Sequence, residues 1–178
     1  MSHDWQSNLY VASSPIHGMG VFARREFVTG ETILIRDERP VTLLAPLLDG
    51  EQEHHCDWLE GGRQVYLGFP ERHVNHSCDA NAFMRRVEGE GHLIALRPIA
   101  PGEEITDNYS INLWAGRAWR CTCGSERCLG TVPGDFFSLP MALKIELLPL
   151  LSDWFVEEHR QVYETLLQEA GLEQETLG

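Results

Sequence analysis

Short apolar runs separated by turn residues dominate the first two thirds of the chain. Residues 8–41 carry several such runs, among them Thr32–Ile35, which follows the turn signal Gly30-Glu31 and is a good strand candidate. Strand character returns over residues 71–110, with a β-prone run at residues 92–97. We therefore expect a mainly β fold built from short strands.

Two segments depart from this strand pattern. Residues 42–70 are interrupted by proline and glycine, and a short helix is predicted around residues 51–59. The C-terminal part is helix-compatible, and the positions that share one helix face there are Phe155, His159, Val162 and Leu166. We expect two helices, the second capped by Ser152 or Asp153 and ended by Gly171.

The chain is long enough for one domain, or for one domain with a short helical appendage. It has 178 residues, 43% of them hydrophobic, and its 14 Lys and Arg against 27 Asp and Glu give a formal net charge of −13. This acidity disfavours direct binding to nucleic acid or to an anionic membrane, and it favours a basic partner. The alternative is that the acidic side chains serve solubility alone.

Neither a membrane span nor a secretory signal is predicted. No apolar run approaches the ~20 residues of a transmembrane helix, and the start of the sequence lacks the basic and apolar regions of a signal peptide. The five cysteines are an odd number, so they cannot all pair as disulfides. We expect a reduced intracellular protein, with cytoplasm and nucleus both open.

Four of the cysteines have a spacing typical of a metal site. Cys121, Cys123 and Cys128 lie in one short segment, and Cys78 supplies a fourth thiol from further upstream. Four thiolates are the usual ligand set of a closed tetrahedral zinc site, so one structural zinc ion is predicted. Cys56 follows two histidines, but three adjacent positions cannot easily face one ion. We interpret Cys56 as an ordinary buried or loop cysteine.

Four motifs follow one another along the chain. They are Gly18-Met19-Gly20-Val21-Phe22-Ala23, Arg72-His73-Val74-Asn75-His76-Ser77-Cys78-Asp79-Ala80-Asn81, Ile99-Ala100-Pro101-Gly102-Glu103-Glu104-Ile105-Thr106-Asp107-Asn108-Tyr109 and Arg120-Cys121-Thr122-Cys123-Gly124-Ser125-Glu126-Arg127-Cys128-Leu129-Gly130. Their order resembles the SET-domain family of protein lysine methyltransferases with its post-SET zinc segment. The resemblance covers most of the chain.

The resemblance implies a SET-domain fold of short strands with a knot-like core, in which the Asn75 and Tyr109 segments come together. We expect the SET domain at residues 8–110, the post-SET zinc segment at residues 111–132 and C-terminal helices at residues 135–172. Whether these helices cap the cofactor pocket, form a dimer face or only pack is left open.

The resemblance also assigns roles to individual residues. It implies contacts to S-adenosylmethionine from Gly18, Met19, Gly20, Arg72, Asn75, His76 and Tyr109. It makes Tyr109 the catalytic residue, because a tyrosine hydroxyl can orient the lysine amine without adding a full charge. Outside this context the plainer interpretations are a tight turn for the glycines, a turn residue for Asn75, a core histidine for His76 and a core aromatic for Tyr109.

The implied activity is transfer of a methyl group from S-adenosylmethionine to a lysine side chain of a protein. The partner would be a basic, lysine-containing segment such as a histone tail, with no nucleic acid and no membrane, and the oligomeric state is open. One alternative is a catalytically inactive SET and zinc module that binds a protein. The other is a small zinc-ribbon interaction protein, which leaves the other three motifs to coincidence.

The chain departs from the family pattern at three places. Ala80 stands where the family expects proline, and residues 35–40 lack the family's Tyr-x-Gly motif. Asp107 stands two residues before Tyr109, where the family often has Phe or Tyr. We expect Asp107 to border the lysine channel and to influence how many methyl groups are added. Its small size favours more than one methyl group, whereas its charge could retain a water molecule and stop the reaction early, and we favour more than one. The alternative is that Asp107 turns outward.

Overall fold

The computed structural model describes residues 5–42, 46–49, 52 and 55–172. Its contacts divide the chain into two compact units. The strand unit holds the described residues of 1–76 and 80–107, and the C-terminal unit holds those of 77–79 and 108–178.

The strand unit consists of short strands in three small sheets. Their bounds are β1 Leu9–Ser13, β2 Met19–Ala23, β3 Thr32–Ile35, β4 Glu38–Pro40, β5 Cys56–Leu59, β6 Arg63–Leu67, β7 Asn75–His76, β8 Ala82–Val87, β9 Glu90–Ala95 and β10 Glu104–Asp107. The strand orders are β1-β2-β10-β7, β3-β9-β8 and β4-β6-β5. The predicted fold class, mainly short strands with helices at the C-terminal end, is confirmed.

Alternating apolar positions give these strands a buried face. The core of the strand unit takes one or two side chains from each of several elements, namely Leu9, Val21, Ala23, Phe27, Ile33, Leu34, Val74, Ala82, Leu93, Ala95, Ile99 and Ile105. The tight connection of β8 to β9 needs two residues of positive φ, which are Glu88 and Gly89.

The arrangement that positions the candidate site is a parallel strand pair. β7 runs parallel to β10, with Asn75 beside Thr106 and His76 beside Asp107. On its other side β10 is antiparallel to β2, so one short strand joins three sequence motifs in one sheet. This pairing places the Asn75 segment beside β10, the strand that ends two residues before Tyr109.

The C-terminal unit has two very short strands and three helices. Their bounds are β11 Trp119–Arg120, β12 Thr131–Val132, α1 Met141–Leu147, α2 Asp153–Glu158 and α3 Arg160–Ala170. The helices bury an apolar cluster whose main members are Phe136, Leu139, Leu147, Leu148, Leu151, Phe155, Tyr163, Leu166 and Leu167.

Local predictions from the sequence succeed unevenly in the strand unit. The strand at Thr32–Ile35 is confirmed, and the run at 92–97 lies in β9, which ends at Ala95. The helix around residues 51–59 is wrong for the described part. Cys56–Leu59 is instead a strand paired with β6, and positive φ angles at Gly61 and Gly62 form the turn between the two strands. Residues 51, 53 and 54 lie outside the described residues.

The C-terminal helices also differ from the pattern predicted for them. Gly171 ends α3 with a left-handed conformation, φ 67°, as expected. Ser152 precedes α2, but its side chain makes no capping hydrogen bond there. The prediction that Val162 shares the buried face is wrong, because the helix breaks at His159 and the phase shifts. Val162 is exposed, and Tyr163 is buried in its place.

Candidate functional site

The cysteine cluster lies entirely within the C-terminal unit. The sulfur atoms of Cys78, Cys121, Cys123 and Cys128 lie within 4.8 Å of one another. Cys78 and Cys121 are buried, and their sulfur atoms are 3.8 Å apart. A tetrahedral zinc site with Zn–S bonds of about 2.3 Å has sulfur atoms about 3.8 Å apart, so the donor set and its spacing fit this metal.

Backbone and hydroxyl groups surround these sulfur atoms. The Cys123 amide donates to Cys121 Sγ (3.5 Å), and the Gly130 amide donates to Cys128 Sγ (3.4 Å). The hydroxyl oxygen of Ser125 lies 3.3 Å from Cys123 Sγ. Burial alone would raise the pKa of Cys123, but the hydrogen bonds from Ser125 and from backbone amides lower it to about 6. Burial raises the pKa of the Cys78 and Cys121 thiols instead, so a metal ion that binds all four sulfur atoms would have to displace their protons.

Cys56 is not a member of this cluster. It is on β5 in the strand unit, half-buried, with the Gln64 amide nitrogen 3.9 Å from its sulfur. Burial raises the pKa of its thiol. Among the described residues, no group of three or more metal-ligating side chains includes it. The neighbouring His54 lies outside the described residues.

The first glycine motif forms the end of the loop between β1 and β2. Gly18 takes a positive φ of 51°, and its carbonyl accepts a hydrogen bond from the Ser14 amide (2.9 Å). The Ser14 hydroxyl accepts the Ile16 amide at 2.9 Å, which tightens the loop from within. Met19 and Gly20 then begin β2, with Met19 exposed and Gly20 buried.

Asn75 connects the second motif to this loop. Its side-chain nitrogen donates to the carbonyl oxygens of His17 (3.1 Å) and Met19 (3.0 Å). The same nitrogen lies 2.8 Å from Glu104 Oε1. The structure therefore brings together Gly18, Met19, Gly20 and Asn75, four of the predicted cofactor-binding residues.

Arg72 and His76 flank Asn75 along the chain. Arg72 lies in the 3-10 turn Glu71–His73, which packs against β2, and its guanidinium lies 5.5 Å from the centre of the Phe69 ring. His76 is buried on β7, and burial lowers its pKa to about 4. His76 is therefore neutral at pH 7 and does not bring a charge to the site.

Tyr109 belongs to the C-terminal unit. It lies in the turn that follows β10, and its side chain is 48% exposed. Asp107 belongs to the strand unit. Burial alone would lower the pKa of Arg36 there, but the carboxylate of Asp57 and, to a smaller extent, that of Asp107 raise it. Arg36 also forms an ion pair with Asp57 at 2.5 Å.

Three charged residues of the strand unit were missed by the sequence analysis. Arg36 and Glu71 are buried, and Glu104 contacts Asn75 directly. Glu71 accepts hydrogen bonds from the amides of Asp37 (3.1 Å) and Gly68 (3.2 Å). Their only signal in the sequence is a charged residue next to a motif or within a strand-like run, which is too common to be selective.

Asn81 is the last residue of the second motif, and its hydrogen bonds are structural. Asn81 is buried. Its side-chain nitrogen donates a hydrogen bond to the Glu104 carbonyl (2.8 Å), and its side-chain oxygen accepts one from the Thr106 backbone amide (2.9 Å). These bonds hold β10 to the start of β8. Ala80, which replaces the family's proline, does not prevent this arrangement.

Comparison with known proteins identifies the family. The SET domain model matches residues 18–110. Histone-lysine N-methyltransferase 2B of Homo sapiens is 32% identical over 135 residues, which is 66% of this chain and 5% of that protein. Histone-lysine N-methyltransferase trithorax of Drosophila virilis is 29% identical over 134 residues, 66% of this chain and 3% of that protein.

A plant relative also carries the name of a histone-lysine N-methyltransferase. Histone-lysine N-methyltransferase ATX2 of Arabidopsis thaliana is 29% identical over 150 residues, covering 74% of this chain and 14% of that protein. The chain thus spans a small part of the curated relatives that it matches. Among the described residues, no helix combines the length and the apolar character needed to cross a membrane. The match over residues 18–110, which contains the glycine loop, Asn75 and Tyr109, means that the chain belongs to the SET domain family.

Proposed function

We propose that this protein transfers a methyl group from S-adenosylmethionine to the side-chain amine of a lysine in a protein substrate. The observation that carries the proposal is the convergence of Asn75 with the Gly18-Met19-Gly20 loop, inside the segment that matches the SET domain. Relatives named as histone-lysine N-methyltransferases support the reaction class.

The reaction sets clear demands on the site. A free lysine has a pKa of ~10.4, so its amine is mostly protonated at neutral pH and must lose a proton before it can attack. The bound cofactor supplies an electrophilic methyl group on a sulfonium. The lysine ammonium would first lose its proton to water. The nitrogen–carbon bond would then form as the sulfur–carbon bond breaks, which would leave the sulfur as a neutral thioether. The protein has to hold both reactants in line and exclude bulk solvent.

The proposed roles of the residues follow from their chemistry. In the proposed site, the residues that hold the cofactor are Gly18, Met19, Gly20, Arg72, Asn75 and His76. The glycines permit close approach of backbone groups, and the neutral His76 offers a ring without a competing positive charge near the sulfonium. Tyr109 contacts the cofactor and orients the amine, and it is the proposed catalytic residue.

The proposed substrate is a basic segment of a protein, with a histone as the first candidate. The formal charge of −13 attracts basic segments and repels nucleic acid. A histone substrate agrees with the names of the relatives, which implies action on nuclear proteins. Direct binding to nucleic acid or to membranes is not part of the proposal.

We also propose one structural zinc ion held by Cys78, Cys121, Cys123 and Cys128. The set of four thiols and the spacing of their sulfur atoms support this assignment. A closed site of four thiolates leaves no open position for substrate, so the ion would stabilise the fold and take no part in catalysis.

The proposed activity is tested by methyl transfer from labelled cofactor to an array of lysine peptides, with wild type and Tyr109→Phe. We expect the variant to bind S-adenosylmethionine like wild type and to lose roughly a hundredfold in turnover, the usual cost of one oriented transition-state contact. Tyr10→Phe is the matched control, because Tyr10 packs on Phe22 within β1 and β2. A Tyr109→Phe rate within a factor of two of wild type would remove Tyr109 from the mechanism.

The same assay separates this proposal from an inactive SET and zinc module. Such a module would bind a protein partner but neither bind the cofactor nor label any peptide. Wild-type protein that carries zinc, folds and fails to bind S-adenosylmethionine would favour that alternative.

A further inference from the structure

Glu104 is the second of two consecutive glutamates at the start of β10, and its carboxylate lies between two parts of the candidate cofactor site. The Ser14 hydroxyl is 2.8 Å from Oε1 and 2.9 Å from Oε2. The side-chain nitrogen of Asn75 is 2.8 Å from Oε1. One carboxylate therefore joins the β1–β2 loop to Asn75.

The carboxylate occupies the space next to Gly20. A Cβ atom at Gly20 would lie 2.3 Å from Glu104 Oε1 and 2.8 Å from its Cδ, so the carboxylate would have to move from its present position. β2 and β10 are paired at this point, with Glu104 beside Phe22. Glycine at position 20 thus gives the Glu104 side chain room to reach under the loop.

The Ser14 hydroxyl links the carboxylate to the start of the loop. The hydroxyl oxygen accepts a hydrogen bond from the Ile16 amide. The single hydroxyl proton is therefore available for a hydrogen bond to Glu104. A hydrogen bond to an ionised acceptor is about twice as strong as one between neutral groups. The loop is therefore anchored to β10 at Ser14.

The same carboxylate is one of three acceptors that set the orientation of the Asn75 amide. The three groups within 3.1 Å of its nitrogen are the His17 and Met19 carbonyls and the Glu104 carboxylate, and all of them are acceptors. Only the NH₂ end of the amide can face three acceptors, so the amide oxygen turns away from the loop. Without Glu104, the strongest of these acceptors is lost.

We propose that Glu104 is a positioning residue for the cofactor site, which holds the β1–β2 loop and the Asn75 amide in their binding geometry before the cofactor arrives. This inference rests on the proposed function for the identity of the ligand. Because a preorganised site loses less freedom on binding, removing the carboxylate should weaken cofactor binding more than it changes the chemical step.

The neighbouring Glu103 provides a matched control. Its carboxylate accepts hydrogen bonds from Asn81 (3.0 Å) and from the Ala100 amide (3.1 Å), and it pairs with Arg97. These contacts go to Asn81, just before β8, and to the segment before β10, and none of them reaches the β1–β2 loop. Glu103→Ala therefore removes a carboxylate from the same strand end without touching the proposed anchor.

The test measures the Kd of S-adenosylmethionine by calorimetry for wild type, Glu104→Ala, Glu104→Gln and Glu103→Ala. We expect Kd to rise on the order of tenfold or more in Glu104→Ala, as for loss of hydrogen bonds to a charged group. Glu104→Gln keeps one acceptor for Ser14 and Asn75 and should recover part of the affinity. Glu103→Ala should lower the melting temperature and leave Kd unchanged.

Hydrogen exchange supplies a readout that does not need the cofactor. The amides of the loop at residues 14–20 should exchange faster in Glu104→Ala than in wild type or Glu103→Ala. If Glu104→Ala fails to fold, Ser14→Ala removes the other partner of the same bond, and it should raise both Kd and loop exchange.

The outcomes distinguish this inference from the proposed function. Wild-type protein that binds no cofactor overturns the proposed function, and the role of Glu104 in cofactor binding with it. Wild-type protein that binds, with an unchanged Kd in Glu104→Ala or an equal rise in Glu103→Ala, overturns the positioning role alone.

Discussion

The two units hold their candidate sites by different means. In the strand unit, the predicted cofactor residues are fixed by hydrogen bonds that the protein makes with itself, such as those of Asn75 with His17, Met19 and Glu104. In the C-terminal unit, four sulfur atoms lie within 4.8 Å of one another, and backbone amides donate hydrogen bonds to those of Cys121 and Cys128.

This difference separates two sources of stability. The strand-unit site is built from strand pairing and polar contacts, and we expect it to persist without ligand. The cysteine site depends on the metal for much of its free energy, because thiolates crowded within 4.8 Å repel one another unless a cation binds them. Perturbing each unit separately should therefore give effects of different size and kind.

The largest effect is expected from loss of the metal. Apparent binding free energies of structural zinc sites are about 10–16 kcal/mol at pH 7, and this energy contributes to folding. Cys121→Ser should abolish stoichiometric zinc, and the C-terminal helices should lose protection in hydrogen exchange. Metal analysis and competition with a chelator measure the first effect directly.

Cys56→Ser is the control for this prediction. Cys56 belongs to the strand unit and is not a member of the cluster, so zinc content should stay at one ion per chain. Wild-type protein without metal, or a requirement for Cys56, would refute the assignment.

The next largest effect should come from the pH dependence of the strand unit. Burial raises the pKa of Glu71 to about 7 from its usual 4.5, against the lowering effect of its hydrogen bonds and of Arg36. Because the folded-state pKa is above the unfolded value, the contribution of Glu71 to the free energy of unfolding is fully present below pH 4.5. This contribution is lost as the pH rises through 7. The loss amounts to about 3 kcal/mol.

Glu71→Gln should remove this pH dependence. Urea unfolding at pH 5 and pH 8 should give a smaller difference in unfolding free energy for the variant than for wild type. The exposed Glu60 supplies the control, and Glu60→Gln should retain the wild-type difference. Equal pH slopes for wild type and Glu71→Gln would mean that Glu71 titrates normally in the folded state.

A smaller effect is expected from filling the space beside Glu104. Gly20→Ala should destabilise the fold by about 1–3 kcal/mol through overpacking against Glu104. A Cβ atom at Gly18 would lie in open space. Gly18→Ala should therefore lower the free energy of unfolding only through the strain of a positive φ, by about 1 kcal/mol.

Combining Gly20→Ala with Glu104→Ala tests whether the two side chains share one space. Removing the carboxylate should recover most of the loss in the Gly20 variant, so the two changes should not add. Melting temperatures of the four proteins measure this coupling. Strict additivity would show that Glu104 does not fill the space beside Gly20.

The smallest effect concerns Asp107 and the number of methyl groups transferred. Asp107→Phe and Asp107→Tyr should shift the products of one peptide towards fewer methyl groups, since both side chains are larger than Asp. Asp57→Asn removes another negative partner of Arg36 without changing β10 and serves as the control. Mass spectrometry measures the distribution, and an unchanged pattern in both variants would exclude Asp107 from shaping the lysine channel.

The cysteine cluster and the strand unit also differ in how far the sequence predicts them. The four cysteines are predictable because metal binding restricts the residue type and its spacing, and the structure gathers the same four sulfur atoms. Thr32–Ile35 is likewise predictable, because its strand propensity and its tertiary pairing agree.

Other features depend on distant parts of the chain. Ser14 and Glu104 are 90 positions apart, and neither sequence neighbourhood indicates the bond between them. The helix expected around residues 51–59 fails because pairing of Cys56–Leu59 with β6 overrides local preference. Val162 is misassigned because the break at His159 shifts the helical phase, which a regular period cannot represent.

The central claim is that the strand unit binds S-adenosylmethionine for methyl transfer to a protein lysine. The most direct measurement is mass spectrometry of lysine-containing histone-tail peptides after incubation with the full chain, zinc and cofactor. The account predicts a mass increase of whole methyl groups on one lysine, dependent on the cofactor and strongly reduced in Tyr109→Phe. A zinc-loaded, folded chain that binds the cofactor and leaves every histone or other basic peptide unmodified would contradict it.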